Sequence, residues 1–187
     1  SQFGTTAKYV PVTDTKALEQ AITPLTKLIF TETIANPGLE VAPIGELARV
    51  AHNHDIPLIV DNTAATGLLA RPLQHGADIV INSTSKYVNG FAGGVSGVVT
   101  DGGSFRFTAE RYPVLAPFLI KGEKEGFILR LRSKLVGLHG GCLSPDNAYQ
   151  NLIGLESLGL RLERECGNAL ALARHLEKVP DITVNYP

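Results

Sequence analysis

Short apolar runs alternate with helical patterns along the first hundred residues of the chain. Runs rich in branched residues and bounded by Gly, Pro or Asn are typical of buried strands. Five strands are predicted in this way, at residues 9–12, 27–32, 57–60, 77–81 and 93–100. Asp101-Gly102-Gly103 then predicts a turn after the last of them.

Apolar residues at helical spacing predict four helices, at 17–22, 44–51, 68–75 and 145–176. The sequence Ser144-Pro145-Asp146 is a strong start for the last helix, because it offers an N-cap, a first-turn proline and an acidic first turn. Gly154 and Gly159 are the points where that helix would break. Strands that alternate with helices in this order predict an α/β fold around a doubly wound, mainly parallel sheet, although they do not define the strand order.

Composition narrows the class of protein without identifying it. The 187 residues are 44% hydrophobic and 19% charged, which is ordinary for a globular chain. A net charge of -1 gives no reason to expect nucleic acid or an anionic membrane as a partner, and no stretch is apolar enough to span a bilayer. Cys142 and Cys166 are too few for a disulfide framework and lack a metal-ligand spacing, so we expect two reduced thiols in a cytoplasmic protein.

Reactive side chains follow two of the predicted strands. Asp61 and Thr63 come after strand 57–60, whereas Ser83, Ser85 and Lys86 come after strand 77–81. Because ligands of open parallel α/β sheets bind at the carboxyl ends of the strands, these groups are expected to share one pocket. A carboxylate, hydroxyls and a lysine suit pyridoxal phosphate (PLP): the lysine forms a Schiff base with the aldehyde, the carboxylate keeps the pyridine nitrogen protonated, and the hydroxyls bind the phosphate.

Each of these residues also has an ordinary structural interpretation. A lysine just past a strand is usually a solvated surface residue, and an aspartate in that place is usually a turn residue. Asn36 follows the strand at 27–32 and precedes Pro37, so by itself it is a turn signal. Together with Asp61 and Lys86, it becomes a candidate donor to the phenolic oxygen of PLP.

Three ordered motifs carry a family resemblance. Glu32-Thr33-x-Ala35-Asn36-Pro37, Val60-Asp61-Asn62-Thr63 and Ser83-x-Ser85-Lys86-Tyr87 resemble the PLP-dependent enzymes of cysteine and methionine metabolism. The spacing agrees, since Asn36 to Asp61 and Asp61 to Lys86 span equal lengths of chain. Ser85 stands where that family often has threonine, which keeps the hydroxyl, and Asn82 stands where histidine is frequent.

The resemblance implies a fold and a set of roles. The fold would be the large domain of an aspartate-aminotransferase-like (type I) PLP-dependent transferase, with residues 1–156 a part of it. Residues 157–187 would form a connecting helix and the start of a smaller C-terminal domain. The residues that would bind the cofactor are Lys86 (covalently and as catalytic base), Asp61 (ring nitrogen), Ser83 and Ser85 (phosphate), Asn36 (ring oxygen) and Thr63.

The resemblance also implies an activity. The segment 101–141 and the sequence Gly154-Leu155-Glu156-Ser157-Leu158 are most similar to O-acetylhomoserine sulfhydrylases. We therefore expect γ-replacement on O-acetyl-L-homoserine by sulfide or a thiol such as methanethiol, giving homocysteine or methionine and acetate. A homo-oligomer, as a dimer of dimers, is expected.

Three alternatives stay open. The first is a methionine or cystathionine γ- or β-lyase, or a cystathionine γ-synthase. The second is an inactive fragment of such an enzyme, because the expected N-terminal and C-terminal parts are not in this chain. The third is a nucleotide-binding α/β domain, which is disfavoured because the chain has neither the GxGxxG nor the GxxxxGK[ST] signature.

Overall fold

The described part of the chain folds around one four-stranded sheet. The computed structural model describes residues 4–121 and 125–187. Its strands are β1 (Ile29–Glu32), β2 (Leu58–Asp61), β3 (Ile79–Asn82) and β4 (Val98–Asp101), and they lie in the order β1-β2-β3-β4. The first three are mutually parallel and β4 runs antiparallel to β3. The predicted α/β class with a mainly parallel sheet is therefore confirmed.

The register sets where the strands end. Glu32 pairs with Asp61, and Asp61 pairs with Ile81. The carboxyl ends of β1, β2 and β3 consequently reach the same edge of the sheet. The polar residues that follow these strands are brought to this edge.

Helical segments connect and flank the strands. The α-helices are α1 (Thr15–Ala21), α2 (Ile44–Asn53), α3 (Thr66–Leu69), α4 (Gly126–Arg130), α5 (Gly137–His139) and α6 (Pro145–Leu176). The segments Pro72–His75 and Pro113–Lys121 are 3-10 helices, and Leu131–Val136 is a π-helix. Among the described residues, no helix combines the length and the apolar character that a membrane span requires.

The core divides into two clusters. The larger one packs the apolar stripe of α2 and Leu18 of α1 against β1 and β2, whose Leu58 and Val60 are fully buried. The smaller one contains Ile79, Phe107 and Leu115, with neighbouring aromatic rings in edge-to-face and stacked contacts. The stripe on α2 has the i, i+3, i+4, i+7 spacing, which is why that helix was predictable.

Two predicted elements are wrong. Residues 9–12 form no strand, because none of the described strands pairs with them, and the Tyr9 side chain is 93% exposed. The helix predicted over 68–75 is divided into α3 and the 3-10 segment. The reason is that Ala70 is extended and that Arg71 precedes a proline, which disfavours helical backbone.

The last strand is shorter than predicted, and the last helix has the predicted bounds but lacks the predicted breaks. Residues 93–97 lie outside β4, since side chains hold their backbone: Asn89 Oδ1 accepts from the Gly93 amide and Asn147 Nδ2 donates to the Val95 carbonyl. Helix α6 begins at Pro145, with the Ser144 side chain accepting from the Asn147 amide. It continues through Gly154 and Gly159 without a break.

Candidate active site

The segments after β2 and β3 are joined at the carboxyl edge of the sheet. Asp61 is half-buried, and its Oδ1 accepts a hydrogen bond from the Thr63 amide at 2.9 Å. Thr63 Oγ1 in turn accepts from the Ser83 amide at 2.8 Å. The Asn62 amide donates to the Ile81 carbonyl at 2.8 Å. These bonds bring the predicted residues Asp61, Thr63 and Ser83 together.

Asn62 is a structural residue of this edge that the sequence analysis did not identify. Its side chain is 1% exposed, its Oδ1 accepts from Thr33 Oγ1 at 2.6 Å, and its Nδ2 donates to the carbonyls of Thr66 and Ala70. Because successive side chains of a strand point to opposite faces, anchoring Asn62 in the interior leaves Asp61 on the other side. The only sequence signal for this is that a polar residue follows a buried strand.

Lys86 lies in a tight turn just after β3. The Gly90 amide donates to the Lys86 carbonyl at 2.8 Å, and the Asn89 amide donates to the Thr84 carbonyl at 3.0 Å. The Lys86 side chain is exposed, and among the described residues no hydrogen bond or ion pair engages it. Its amine is therefore available to a ligand.

The two predicted serines differ in their surroundings. Ser83 is half-buried, and its hydroxyl has no hydrogen-bond partner among the residues that the structure describes. The Ser85 hydroxyl donates to the Ser96 carbonyl at 3.0 Å and accepts from the Ser96 amide at 2.7 Å. Because a hydroxyl binds phosphate by donating its proton, Ser85 has to release the Ser96 carbonyl before it can do so.

Asn36 lies in the loop that follows β1. It is exposed, and its amide donates to Glu32 Oε2 at 2.8 Å. The structure shows no hydrogen bond between its side chain and Asp61, Thr63 or Lys86. It shares the carboxyl edge of the sheet with them only through the end of β1.

A buried polar cluster behind the Lys86 turn was also missed. It consists of Thr84, Asn89, Ser96 and Asn151, and Asn151 belongs to α6. Hydrogen bonds join Asn151 to residues 55 and 67 positions away. No local pattern in the sequence signals contacts over such separations.

Of two clefts on the described surface, one lies at the other end of the sheet and one borders the carboxyl edge. A cleft of about 810 Å³ is lined by residues that include Lys27, His52, Asp78, Arg106 and Tyr112. These residues precede β1, β2 or β3 or follow β4, so this cleft lies at the opposite end of the sheet from Lys86. Burial raises the pKa of two groups at this end, Asp101 and Tyr112. A second cleft, of about 350 Å³, borders Asn82 and is mostly apolar.

The chemistry of the carboxyl edge fits pyridoxal phosphate. A carboxylate is the partner that a protonated pyridine nitrogen requires, a free amine is the partner of its aldehyde, and hydroxyls bind phosphate. Asp61, Lys86, Ser83 and Thr63 provide these groups on neighbouring strand ends. Thr63 Oγ1 accepts from the Ser83 amide, so its own proton is available to a ligand.

Comparisons with known proteins support pyridoxal phosphate as the cofactor. A Leptospira meyeri O-acetyl-L-homoserine sulfhydrylase is 35% identical over 206 residues, which cover 100% of this chain and 46% of that protein. An L-methionine gamma-lyase of Pseudomonas putida is 34% identical, with coverages of 100% and 42%. A Campylobacter jejuni structure, assigned as an O-acetylhomoserine (thiol)-lyase and containing a pyridoxyl-lysine phosphate, is 33% identical with a TM-score of 0.86, covering 94% of this chain and 45% of that one.

The chain therefore spans less than half the length of the relatives it matches. The family model for Cys/Met metabolism PLP-dependent enzymes matches residues 1–187. That match confirms the predicted cofactor, and the structural neighbours confirm the type I fold. The chain belongs to the family of Cys/Met metabolism PLP-dependent enzymes.

Proposed function

We propose that the protein containing this chain catalyses γ-replacement on O-acetyl-L-homoserine, with sulfide or a thiol such as methanethiol as the incoming group. The products are homocysteine or methionine, and acetate. The observation that carries the proposal is the meeting of Asp61, Thr63, Ser83 and the unengaged Lys86 turn at one edge of the sheet. The name of the Leptospira relative supports the choice of substrate.

The residues of the carboxyl edge have distinct roles in this proposal. Pyridoxal phosphate, when bound, serves as the electron sink for a carbanion at the substrate's α-carbon. The Asp61 carboxylate holds a proton on the ring nitrogen, which strengthens that sink. The Lys86 amine removes the proton at the α-carbon and returns a proton later in the reaction. The cofactor phosphate is bound by the hydroxyls of Thr63, Ser83 and, once it releases Ser96, Ser85, and Asn36 contacts the cofactor's ring oxygen.

A test of the cofactor role uses covalent labelling. The purified protein is mixed with PLP, reduced with borohydride and digested, and the pyridoxyl group is located by mass spectrometry. We expect the label on Lys86, and its loss in Lys86→Ala. Lys27→Ala is the matched control, since Lys27 lies at the opposite end of the sheet and its Nζ donates to the Arg111 carbonyl. Labelling of several lysines that persists in Lys86→Ala would contradict the proposal.

The competing activities differ in their products. The Pseudomonas relative supports a γ-lyase as the second candidate. Replacement forms homocysteine from O-acetyl-L-homoserine and sulfide, whereas elimination releases a keto acid from methionine or cystathionine. We expect homocysteine formation to be the faster reaction. If the full-length protein reacts and residues 1–187 alone do not bind PLP, the chain is an inactive portion of the enzyme.

The organisation of the whole protein is also a proposal. Residues 1–156 form part of the PLP-binding domain, and residues 157–187 contain the connecting helix and the start of a C-terminal domain. The uninterrupted α6 supports a rigid connection between them. We further propose a cytoplasmic homo-oligomer, a dimer of dimers; Cys142 and Cys166 are free thiols, as a reducing compartment requires. Light scattering of the purified protein gives the oligomeric state.

A further inference from the structure

Thr84, Ser96 and Asn151 close a ring of hydrogen bonds beneath the Lys86 turn, and Asn89 is bonded to it; the four side chains together are called the ring. Asn151 Nδ2 donates to Thr84 Oγ1 at 3.3 Å and to Ser96 Oγ at 3.0 Å. Thr84 Oγ1 donates to Ser96 Oγ at 2.7 Å, and Ser96 Oγ donates to Asn151 Oδ1 at 3.3 Å. Asn89 Nδ2 joins the ring from outside by donating to the same Oδ1 at 3.4 Å.

The ring is buried and uses its polar groups fully. Thr84 and Asn151 are each 8% exposed, and Asn89 is 1% exposed. Both protons of Asn151 Nδ2, both hydroxyl protons and the Asn151 carbonyl oxygen take part. A buried network with every member satisfied fixes one arrangement of its parts, because each alternative leaves a polar group without a partner.

Two members of the ring belong to the turn that carries the lysine. Thr84 and Asn89 lie on either side of Lys86, and their backbones are joined by the Asn89 amide and the Thr84 carbonyl. Ser96 holds the intervening Ser85 through its amide and carbonyl. Asn151 is the member that comes from α6, so it ties this turn to the longest helix of the described chain.

We propose that Asn151 is a positioning residue for Lys86. It acts through Thr84, Asn89 and Ser96 and does not touch the cofactor. The inference rests on the proposed function of Lys86. Among the described residues no hydrogen bond or ion pair orients the Lys86 side chain, so the direction of its amine depends on the turn, and the turn is held from below by Asn151. Leu158 and Leu162 also bury apolar side chains of α6, but these side chains cannot hydrogen-bond to the turn.

The test compares two variants of the full protein, each prepared without PLP and then mixed with it. Asn151→Leu removes every hydrogen bond of the amide with little change in volume. Leu162→Ala weakens the packing of the same helix, since Leu162 is 3% exposed, and leaves the ring intact. Two quantities are measured on the folded fraction of each: the rate of PLP attachment to Lys86, and the visible circular dichroism per attached cofactor, which reports its orientation.

We expect Asn151→Leu to slow attachment about tenfold and to change the visible circular dichroism, since unsatisfied partners free the turn. We expect Leu162→Ala to lower the unfolding midpoint and leave both readouts unchanged. If Asn151→Leu does not fold, Thr84→Val replaces it. This variant removes one hydroxyl, and we expect smaller changes of the same two readouts. If the ring variants (Asn151→Leu or Thr84→Val) and Leu162→Ala change the two readouts equally, this inference alone is overturned. No attachment to Lys86 in the unsubstituted protein overturns the proposed function and the inference together.

Discussion

Two aspartates at opposite ends of the sheet have different surroundings and different expected roles. Asp61 is half-buried at the carboxyl edge, with one hydrogen bond to the chain beside it. Asp78 is 1% exposed at the amino end of β3, where it accepts from the Leu58 amide, from Ser104 Oγ and, at 2.9 Å, from His52 Nε2. A buried carboxylate whose oxygens accept hydrogen bonds only from protein donors is structural. A carboxylate at a strand end that can accept further hydrogen bonds is available to a ligand.

We predict that Asp61→Asn and Asp78→Asn separate activity from stability. In Asp61→Asn the side-chain oxygen still accepts from the Thr63 amide, so the unfolding midpoint should change little, while kcat falls about a hundredfold or more because the charge on the ring nitrogen is lost. Asp78→Asn should instead lower the free energy of unfolding by about 2 kcal/mol, since a buried network that uses both carboxylate oxygens keeps only one acceptor oxygen. Urea unfolding and steady-state kinetics of both variants measure this. A large loss of stability in Asp61→Asn would count against the assignment.

Asp101 gives a prediction about pH. Burial raises the pKa of its carboxyl, and the nearby charge of Asp78 raises it further, while the Gly103 amide lowers it. Its Oδ2 is buried and has no hydrogen-bond partner. In the folded state the group therefore binds its proton more tightly than in the unfolded state. Its contribution to stability is present below the unfolded pKa and is lost as the pH rises through the raised pKa.

Asp101→Asn should consequently abolish the loss of folding stability that ionisation of Asp101 causes as the pH rises. The variant keeps the Oδ1 that accepts from Gly103 and cannot ionise. We expect its free energy of unfolding, relative to that of the unsubstituted protein, to be higher at pH 7 than at pH 3. Chemical unfolding at the two pH values measures the difference. A difference that does not depend on pH would show that the Asp101 carboxyl is not held in its protonated form by folding.

The sequence was sufficient for part of the site and insufficient for the rest, for a physical reason. Asp61, Ser83 and Lys86 were predictable because each follows a strand, and parallel strands end at a shared edge. Ser96 and Asn151 were not, since their function depends on hydrogen bonds across 55 and more positions. The hydrogen bonds of the Ser85 hydroxyl to the Ser96 backbone could not be predicted from the sequence for the same reason.

At the scale of elements, the approach of α6 to the Lys86 turn is unusually close. The side chain position at Gly154 faces the carbonyl oxygens of Val88 and Asn89, and a Cβ there would overlap both. Arg161, further along the same helix, donates from Nη2 to the Gly154 carbonyl at 3.0 Å and to the Val88 carbonyl at 3.4 Å. The helix and the turn therefore meet backbone to backbone, which only glycine allows at this position.

Two glycines of α6 form a matched pair for testing this contact. Gly154→Ala should destabilise the protein by about 2 kcal/mol or more and reduce PLP attachment, because its methyl group displaces the turn. Gly159→Ala should stabilise it by up to about 1 kcal/mol, since nothing lies near the added Cβ and alanine favours the helix. Thermal unfolding and borohydride labelling measure the two effects. If both substitutions stabilise, the close approach is not required.

The elements differ in how far local pattern determines them. Helix α2, β2 and β3 were predicted because their apolar periodicity matches the buried faces they present. Residues 93–97 have strand-like composition but are held by the side chains of Asn89 and Asn147. Residues 9–12 have strand composition and no neighbouring strand to pair with in the described sheet. Composition therefore identifies elements that bury one face. It fails where side-chain hydrogen bonds from elsewhere in the fold replace the backbone hydrogen bonds between strands.

At the scale of the whole molecule, the first half of α6 is apolar on two faces. One face packs on the chain through residues that include Gly154, Leu158 and Leu162. The opposite face forms an exposed strip of four residues at helical spacing, namely Tyr149 (65% exposed), Leu152 (62%), Ile153 (45%) and Leu160 (75%). A helix with apolar residues on both sides is typical of one that is buried between two layers.

We predict that this strip causes residues 1–187 to self-associate when they are expressed alone, because several exposed apolar side chains on one helix face favour contact. Leu152→Glu together with Leu160→Glu should shift sedimentation velocity profiles toward the monomer at equal protein concentration. Leu172→Glu is the matched control, since Leu172 is 58% exposed on the same helix but lies outside the strip. An equal shift in the control would mean that added negative charge, and not loss of the strip, separates the chains.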